Sequence, residues 1–383
     1  MKVFMVAGEA SGDRLGAALI KGLCLNVPEI EFQGVAGPEM QSHGINSLFD
    51  ISELSVMGVS EILPKYRGLK RRLSQTVAAV LKFKPDVLIT IDSPDFCLRV
   101  AEAVRSADPS VRTVHYVAPT VWAWRPNRAK KMAGFIDHVL ALFPFEPTYM
   151  KAEGMDCDFV GHPIAAMPKV SSKQVTEFQE LIGLDPNRPA LVILPGSRHS
   201  EIQRLLPVFC NTLSQLDFAN LQLIFPTLPH LAALVRDHIQ ILSQDCFVVT
   251  GEGLSANEAA EQRLVAFSAA KAALAASGTV SLELAAAGTP MVIAYNLGLL
   301  SRLIIVAMLR VDTVTLVNLV SNTRDVPEFI GKHCRADLIS TALIKVLADP
   351  HSQDHAMRRT MELLGSGDTA LANRAAKAVL ARL

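Results

Sequence analysis

The amino-acid sequence contains no stretch of the ~20 consecutive apolar residues that a helix needs to span a bilayer. Its most apolar segment, 297–309, is broken by Arg302. Residues 1–7 carry one lysine and then a run of only five apolar residues before Gly8; that run is too short for the apolar part of a signal peptide and reads as a first strand. Neither sign of charge is in excess. The 37 Lys and Arg balance 37 Asp and Glu, so no overall field gathers a polyanion, which argues against wholesale nucleic-acid binding. The six cysteines, Cys24, Cys97, Cys157, Cys210, Cys246 and Cys334, lack paired spacing. That fits reduced thiols in the cytoplasm better than a disulfide framework or a cysteine zinc site.

What is present is apolar material for large cores. Half of the 383 residues are hydrophobic, and this length exceeds one core, which suggests two domains. Short β-rich runs alternate with helical patterns, the mark of a doubly wound parallel sheet in the α/β class. Strands are expected at 2–7, 31–35, 87–91, 112–117, 139–142 and 158–160. A stretch holding Gly161, Pro163, Pro168, Ser171 and Ser172 then interrupts the alternation as a linker. A second series follows at 190–194, 222–225, 247–250, 272–276 and 291–294. Two Rossmann-like domains facing a cleft are therefore expected, 1–165 and 166–345. From about Val326 the pattern turns helical, including 336–347 and 355–364, and residues 346–383 are expected to cross back to the first domain or to a partner chain.

The loops after the strands carry the polar chemistry. Gly8-Glu9-Ala10-Ser11-Gly12-Asp13 joins the first strand to a helix, where amides and the helix N-terminus suit an anion or polar ligand. The alternative is a tight turn in which Ser11 or Asp13 caps the helix. It spells neither the dinucleotide glycine pattern nor a phosphate-binding loop with its lysine. Asp92 and Asp95 follow a buried strand, where open α/β sheets place ligands; Asp92 reads as a turn residue and Asp95 as functional. Both tryptophans, Trp122 and Trp124, lie in one segment with His115 and Arg125, just ahead of Arg128, Lys130 and Lys131. Such rings beside cations suit sugar stacking or contacts with phosphate and lipid, or they cover the sheet edge; His115 reads as packed.

In the second half, Leu194-Pro195-Gly196-Ser197-Arg198 places a glycine turn, a hydroxyl and a guanidinium at a strand end, a combination suited to a diphosphate. Ser277, Gly278 and Thr279 separate an apolar strand from a helix whose first amides are unpaired. Glu283 falls one turn into that helix, within reach of ribose hydroxyls. Asp156-Cys157-Asp158 resembles a metal-binding D-x-D, but it precedes a strand instead of ending one, and no further oxygen ligands accompany it.

In chain order, VAGEASGD (6–13), VAGPEM (35–40), VMGVSEIL (56–63), DSPDF (92–96), HYVAPTVWAWR (115–125), LPGSR (194–198) and SGTVSLE (277–283) resemble the lipid-A-disaccharide synthase family over nearly the whole chain. The resemblance implies a GT-B glycosyltransferase. It would move 2,3-diacylglucosamine from UDP to the 6-hydroxyl of 2,3-diacylglucosamine 1-phosphate with inversion, giving a β-1′,6-linked disaccharide and UDP, without metal or other cofactor. It implies donor contacts at Arg198, Ser277, Gly278, Thr279, Glu283 and Asn318, and Asp95 as general base. Acceptor contacts would be Glu9 and Ser11, to which the aromatic and basic segment adds Trp122 and Arg125. A homodimer with exchanged C-terminal segments is implied. So is peripheral attachment to the cytoplasmic face of a Gram-negative inner membrane, through 66–73, with Lys70, Arg71 and Arg72, or through 299–309. Uracil contacts within 250–270 stay unassigned. Two other readings remain open: a UDP-sugar 2-epimerase sharing the diphosphate loop and Glu283, and a non-enzymatic nucleotide-sugar-binding protein.

Overall fold

The computed structural model describes residues 1–54, 59–123, 125–216, 220–296, 311–368 and 371–383. The expectations for Trp124, for 299–309 and for the start of the VMGVSEIL motif lie outside the described residues. The chain divides into two compact units, Met1–Ala166 with Gly367–Leu383, and Met167–Ser366.

The first unit is built on β1 (Lys2–Ala7), β2 (Glu31–Val35), β3 (Val87–Ile91), β4 (Arg112–Tyr116), β5 (His138–Ala141) and β6 (Asp156–Phe159). All pairings are parallel, in the order β2-β1-β3-β4-β5-β6. β3 is buried along its whole length and β1 everywhere but its first residue, as expected of strands covered on both faces. The chain runs from β1 outward to β2 and then returns to the other side of β1 with β3. The loops after β1 and β3 therefore part at the point where the winding reverses, which is where such sheets open a ligand crevice. Ala7 lies opposite Ile91 in that pairing.

The helix Ala10–Asn26 follows β1 and buries Leu15, Leu19, Ile20 and Leu23 along one stripe. Each contributes roughly 1.5–3 kcal/mol by leaving water. Against it packs the last helix, Leu371–Leu380, with Asn26 Nδ2 donating to Asn373 Oδ1 at 2.8 Å. Arg382 completes the attachment: its Nε lies 2.7 Å from Asp158 and its Nη1 2.9 Å from Asp156. Asp158 also meets buried His138 Nε2 at 2.9 Å, and the Arg382 guanidinium holds its carboxyl below the usual range. The two carboxylates of the D-x-D triplet thus clasp the C-terminus.

The second unit repeats the plan with β7 (Ala190–Leu194), β8 (Gln222–Pro226), β9 (Asp245–Val249), β10 (Ala272–Ala276), β11 (Met291–Tyr295) and β12 (Glu328–Ile330). The order is β12-β11-β10-β7-β8-β9, again parallel. Here the winding reverses between β7 and β10. Phe209 from the helix His199–Ser214 and Phe225 from β8 lie fully within this unit's core.

β12 departs from the expected helical tail: three residues are too few for a periodicity to register, yet they pair with β11, Ile293 opposite Glu328. The helices at Ala336–Ala348 and Asp354–Leu364 follow. Both stay in the second unit, and the return to the first begins at Gly367, later than the reading from 346 placed it. Gln353 explains this. Its buried amide closes on both backbone groups of Met291, accepting from N at 2.9 Å and donating to O at 2.8 Å. Among the described residues no helix is long and apolar enough to cross a membrane.

Candidate active site

In the second unit Leu194 lies opposite Ala275 in the parallel pairing of β7 with β10. The loop to Arg198 and the loop through Ser277, Gly278 and Thr279 consequently leave neighbouring strand ends at the winding reversal. Gly196 has φ +121°, and a β-carbon there would stand 2.6 Å from Glu201; glycine is required on both counts. Arg198 precedes the helix His199–Ser214 in extended conformation, with its side chain 59% exposed. Gly278, at φ +153°, faces open space, and Thr279 leads into the helix Val280–Ala287 without a side-chain cap. Ser281 Oγ donates to Gly278 O at 2.9 Å and fixes the turn. A largely exposed guanidinium and the start of the helix Val280–Ala287 thus follow neighbouring strand ends, an arrangement suited to two phosphates.

Glu283 is mostly covered and meets Arg263 Nη2 at 2.9 Å, from the helix Ala256–Ser268. Asn318, expected among the donor contacts, is packed within its own segment. It is 1% exposed. Its Nδ2 donates to Val326 O at 2.8 Å and Thr313 Oγ1 at 3.4 Å, while its Oδ1 accepts from Val326 N at 3.1 Å. The side chain braces the segment from Thr313 to Val326, leaving its amide nitrogen no further donor.

In the first unit the loops after β1 and β3 interlock. A β-carbon on Gly8 would lie 2.3 Å from that of Ser93. Asp92 (φ +54°) and Ser93 (φ +41°) are both left-handed. Asp92 accepts from Ser11 Oγ at 2.9 Å and from Ser93 N at 2.8 Å, so it is a turn residue that also anchors the first loop. Neither Ser11 nor Asp13 caps the helix Ala10–Asn26, whose N-cap is Glu9 without a side-chain cap bond. Asp13 instead is buried and takes the amides of Gly37, Glu39 and Met40 at 2.8–3.0 Å, holding the VAGPEM loop. Glu9 and Asp92 both lie close enough to buried Cys97 that, after burial itself, their charges help push its thiol pKa up.

Asp95 stands in the first turn of the helix Pro94–Ala107, its side chain 87% exposed, 3.2 Å from Arg128 Nη2. Arg125 is exposed and left-handed at φ +54°. Trp122, expected either to stack on a sugar or to cover the sheet edge, is enclosed. It is 7% exposed, sits edge-on to Phe145 at 5.2 Å, and aims Nε1 at Glu146 Oε1, 3.4 Å away. Glu146 also accepts from the amides of Leu142 and Phe143, and burial pushes its pKa up to about 7. His115 is fully buried with Nδ1 2.8 Å from Thr90 Oγ1, and burial pushes its pKa down to about 3; it is neutral and packed.

The family model described as lipid-A-disaccharide synthetase matches residues 3–381. The chain belongs to the lipid-A-disaccharide synthase family. A lipid-A-disaccharide synthase from Ruegeria pomeroyi is 53% identical over 385 residues, covering 100% of this chain and 96% of that relative. The chain is thus a glycosyltransferase of lipid A biosynthesis, and the epimerase and non-enzymatic readings fall away. Among solved structures, a UDP-GlcNAc 2-epimerase from Neisseria meningitidis bound to UDP-GlcNAc superposes with TM-score 0.65 at 14% identity, covering 100% of this chain and 99% of that one. Sucrose-phosphate synthase from Thermosynechococcus elongatus gives TM-score 0.61 at 14% identity, covering 100% and 98%. At such identity they show the fold alone, the GT-B class of two Rossmann-like units.

The sequence reading missed Glu201, Tyr295, Arg263 and Glu146. Glu201 alone carried a signal, an acid in the third position of a helix, where carboxylates turn back to the N-terminal amides.

Proposed function

We propose that this family member transfers 2,3-diacylglucosamine from UDP to the 6-hydroxyl of 2,3-diacylglucosamine 1-phosphate with inversion, forming the β-1′,6-linked disaccharide and UDP. The observation that carries the reading is the adjacency of Arg198 and the Ser277–Gly278–Thr279 turn at the ends of β7 and β10. In this reading the diphosphate lies on that guanidinium and those amides, Glu283 accepts from the ribose, and Asn318 acts indirectly by bracing its segment. The second unit is then the donor domain and the first the acceptor domain, with Glu9, Ser11 and Arg125 as acceptor contacts.

Direct displacement needs a base on the nucleophile and charge stabilisation on the leaving group. Asp95 takes the proton of the 6-hydroxyl as that oxygen bonds to the anomeric carbon. The bond from that carbon to the diphosphate breaks, and its electron pair leaves with UDP onto Arg198 and the loop amides. The substrates' acyl chains place the reaction at a bilayer surface, on the cytoplasmic face of the inner membrane, with exposed Lys70 and Arg71 supplying basic contacts; a homodimer is part of the same reading. Incubation with UDP-2,3-diacylglucosamine and 2,3-diacylglucosamine 1-phosphate, followed by mass detection, tests it. The expected products are one disaccharide phosphate and UDP in equal amounts; UDP release without disaccharide removes the reading.

A further inference from the structure

Glu201 touches three parts of the donor loops, and nothing in the reading above uses it. Its Oε2 accepts from the Ser197 amide at 3.1 Å, and its Oε1 lies 3.3 Å from Arg198 Nη1 and 3.4 Å from the Tyr295 hydroxyl. Tyr295 ends β11, and β10 lies between β11 and β7. The Glu201–Tyr295 contact therefore joins the helix that follows β7 to the end of β11, across β10, the strand from which the Ser277 turn emerges. Gly196 completes the fit, because any β-carbon there would collide with Glu201.

A pair of charges three residues apart on a helix surface is ordinarily worth well under ~1 kcal/mol, and Arg198 is more than half exposed. Stability is a poor reason for the pair. Orientation is a better one: the Glu201 side chain is only 12% exposed, it is fixed from two other directions, and it engages one edge of a guanidinium whose remainder faces solvent. A planar guanidinium can hold a carboxylate on one edge and a phosphate on another. We infer that Glu201 is a positioning residue of the donor site, holding Arg198 and the Ser197 turn in the pose that receives the diphosphate, with Tyr295 steadying the carboxylate from the far side of β10. Burial, and then the Glu201 charge, push the Tyr295 pKa up, which keeps its hydroxyl a donor to that carboxylate.

The inference rests on the donor-site reading, and one set of variants separates the two. UDP affinity is measured by titration calorimetry for the parent, Arg198→Ala, Glu201→Gln, Tyr295→Phe and the two double variants carrying Arg198→Ala. Glu201→Gln is expected to weaken UDP about tenfold and Tyr295→Phe about threefold, with less than about twofold further loss from either once Arg198 is alanine, because the effect runs through that side chain. Equal losses with and without the Arg198 side chain, or no loss from Glu201→Gln and Tyr295→Phe while Arg198 is present, overturn the inference and leave the donor site intact. Unchanged UDP affinity in Arg198→Ala removes the donor reading, and this inference with it. Tyr295→Phe deletes a single hydroxyl and keeps the test decisive should Glu201→Gln fold poorly.

Discussion

Gly8 and Ser93 approach so closely that a single added β-carbon would place the two 2.3 Å apart. This contact locks the loop after β1 to the loop after β3 and so sets where Ser11, Asp92 and Asp95 stand. Gly8→Ala should cost about 1–3 kcal/mol through overpacking. Ser93→Gly, which removes the obstructing carbon at a left-handed position, should restore most of the loss. Thermal unfolding of the two single variants and the double variant checks this; a Gly8→Ala protein as stable as the parent contradicts the packing.

Asp13 is the second fixed point of that unit. Replacing it with Asn turns an acceptor-only carboxylate into a group with one acceptor facing three amide donors, at a cost of about 2 kcal/mol. The denaturation midpoint should fall, and exchange at the Gly37, Glu39 and Met40 amides should speed up before exchange at β1. Unchanged protection at those amides counts against the assignment.

Glu146 gives a pH prediction with a defined sign. Burial holds its folded pKa at about 7, above the ordinary glutamate value of 4.5. Between these values the folded chain binds more protons than the unfolded, so its stabilising contribution is full below 4.5 and is lost as pH rises to 7. Buried His115, with its lowered pKa, acts in the opposite direction, so the parent's curve alone is uninformative. The stability of Glu146→Gln relative to the parent should instead rise from pH 4.5 to 7, by at most ~1.4 kcal/mol per pH unit, and then level off. A difference independent of pH contradicts the assignment.

Much of the fold is readable from runs of apolar residues. β1, β2, β3, β7 and β10 begin and end where the sequence suggests; for β3 and β10 a polar residue stands at each edge, Asp86 and Asp92 for the first, Lys271 and Ser277 for the second. β5 and β6 start earlier than expected, at His138 and Asp156. Those polar residues are satisfied within strands by long-range partners, His138 by Asp158 and Asp156 by Arg382 from the far end of the chain. The glycine turns at strand ends are equally local signals. The Glu201–Tyr295 contact was not legible, since it depends on β10 inserting between β7 and β11. For Trp122 the sequence shows that a ring is present and not that Phe145 and Glu146 pack against it.

The proposed membrane contact rests on fewer charges than the sequence offers. Arg72 turns inward, lying over Phe49 and donating from Nε to Glu53 at 2.8 Å, whereas Lys70 and Arg71 are exposed. Reversing the charge of Lys70 and Arg71 should reduce co-sedimentation with anionic vesicles, each charge being worth about 1 kcal/mol at low salt. Undiminished binding removes this segment from the docking surface.

The division of labour between the two units is tested most directly by Asp95→Asn, assayed in parallel for disaccharide formation and for UDP affinity. The account predicts that turnover is lost while UDP binds as in the parent, because the base stands in the first unit and the diphosphate seat in the second. A variant that still forms disaccharide at the parent's rate, or one that loses UDP binding together with activity, contradicts it.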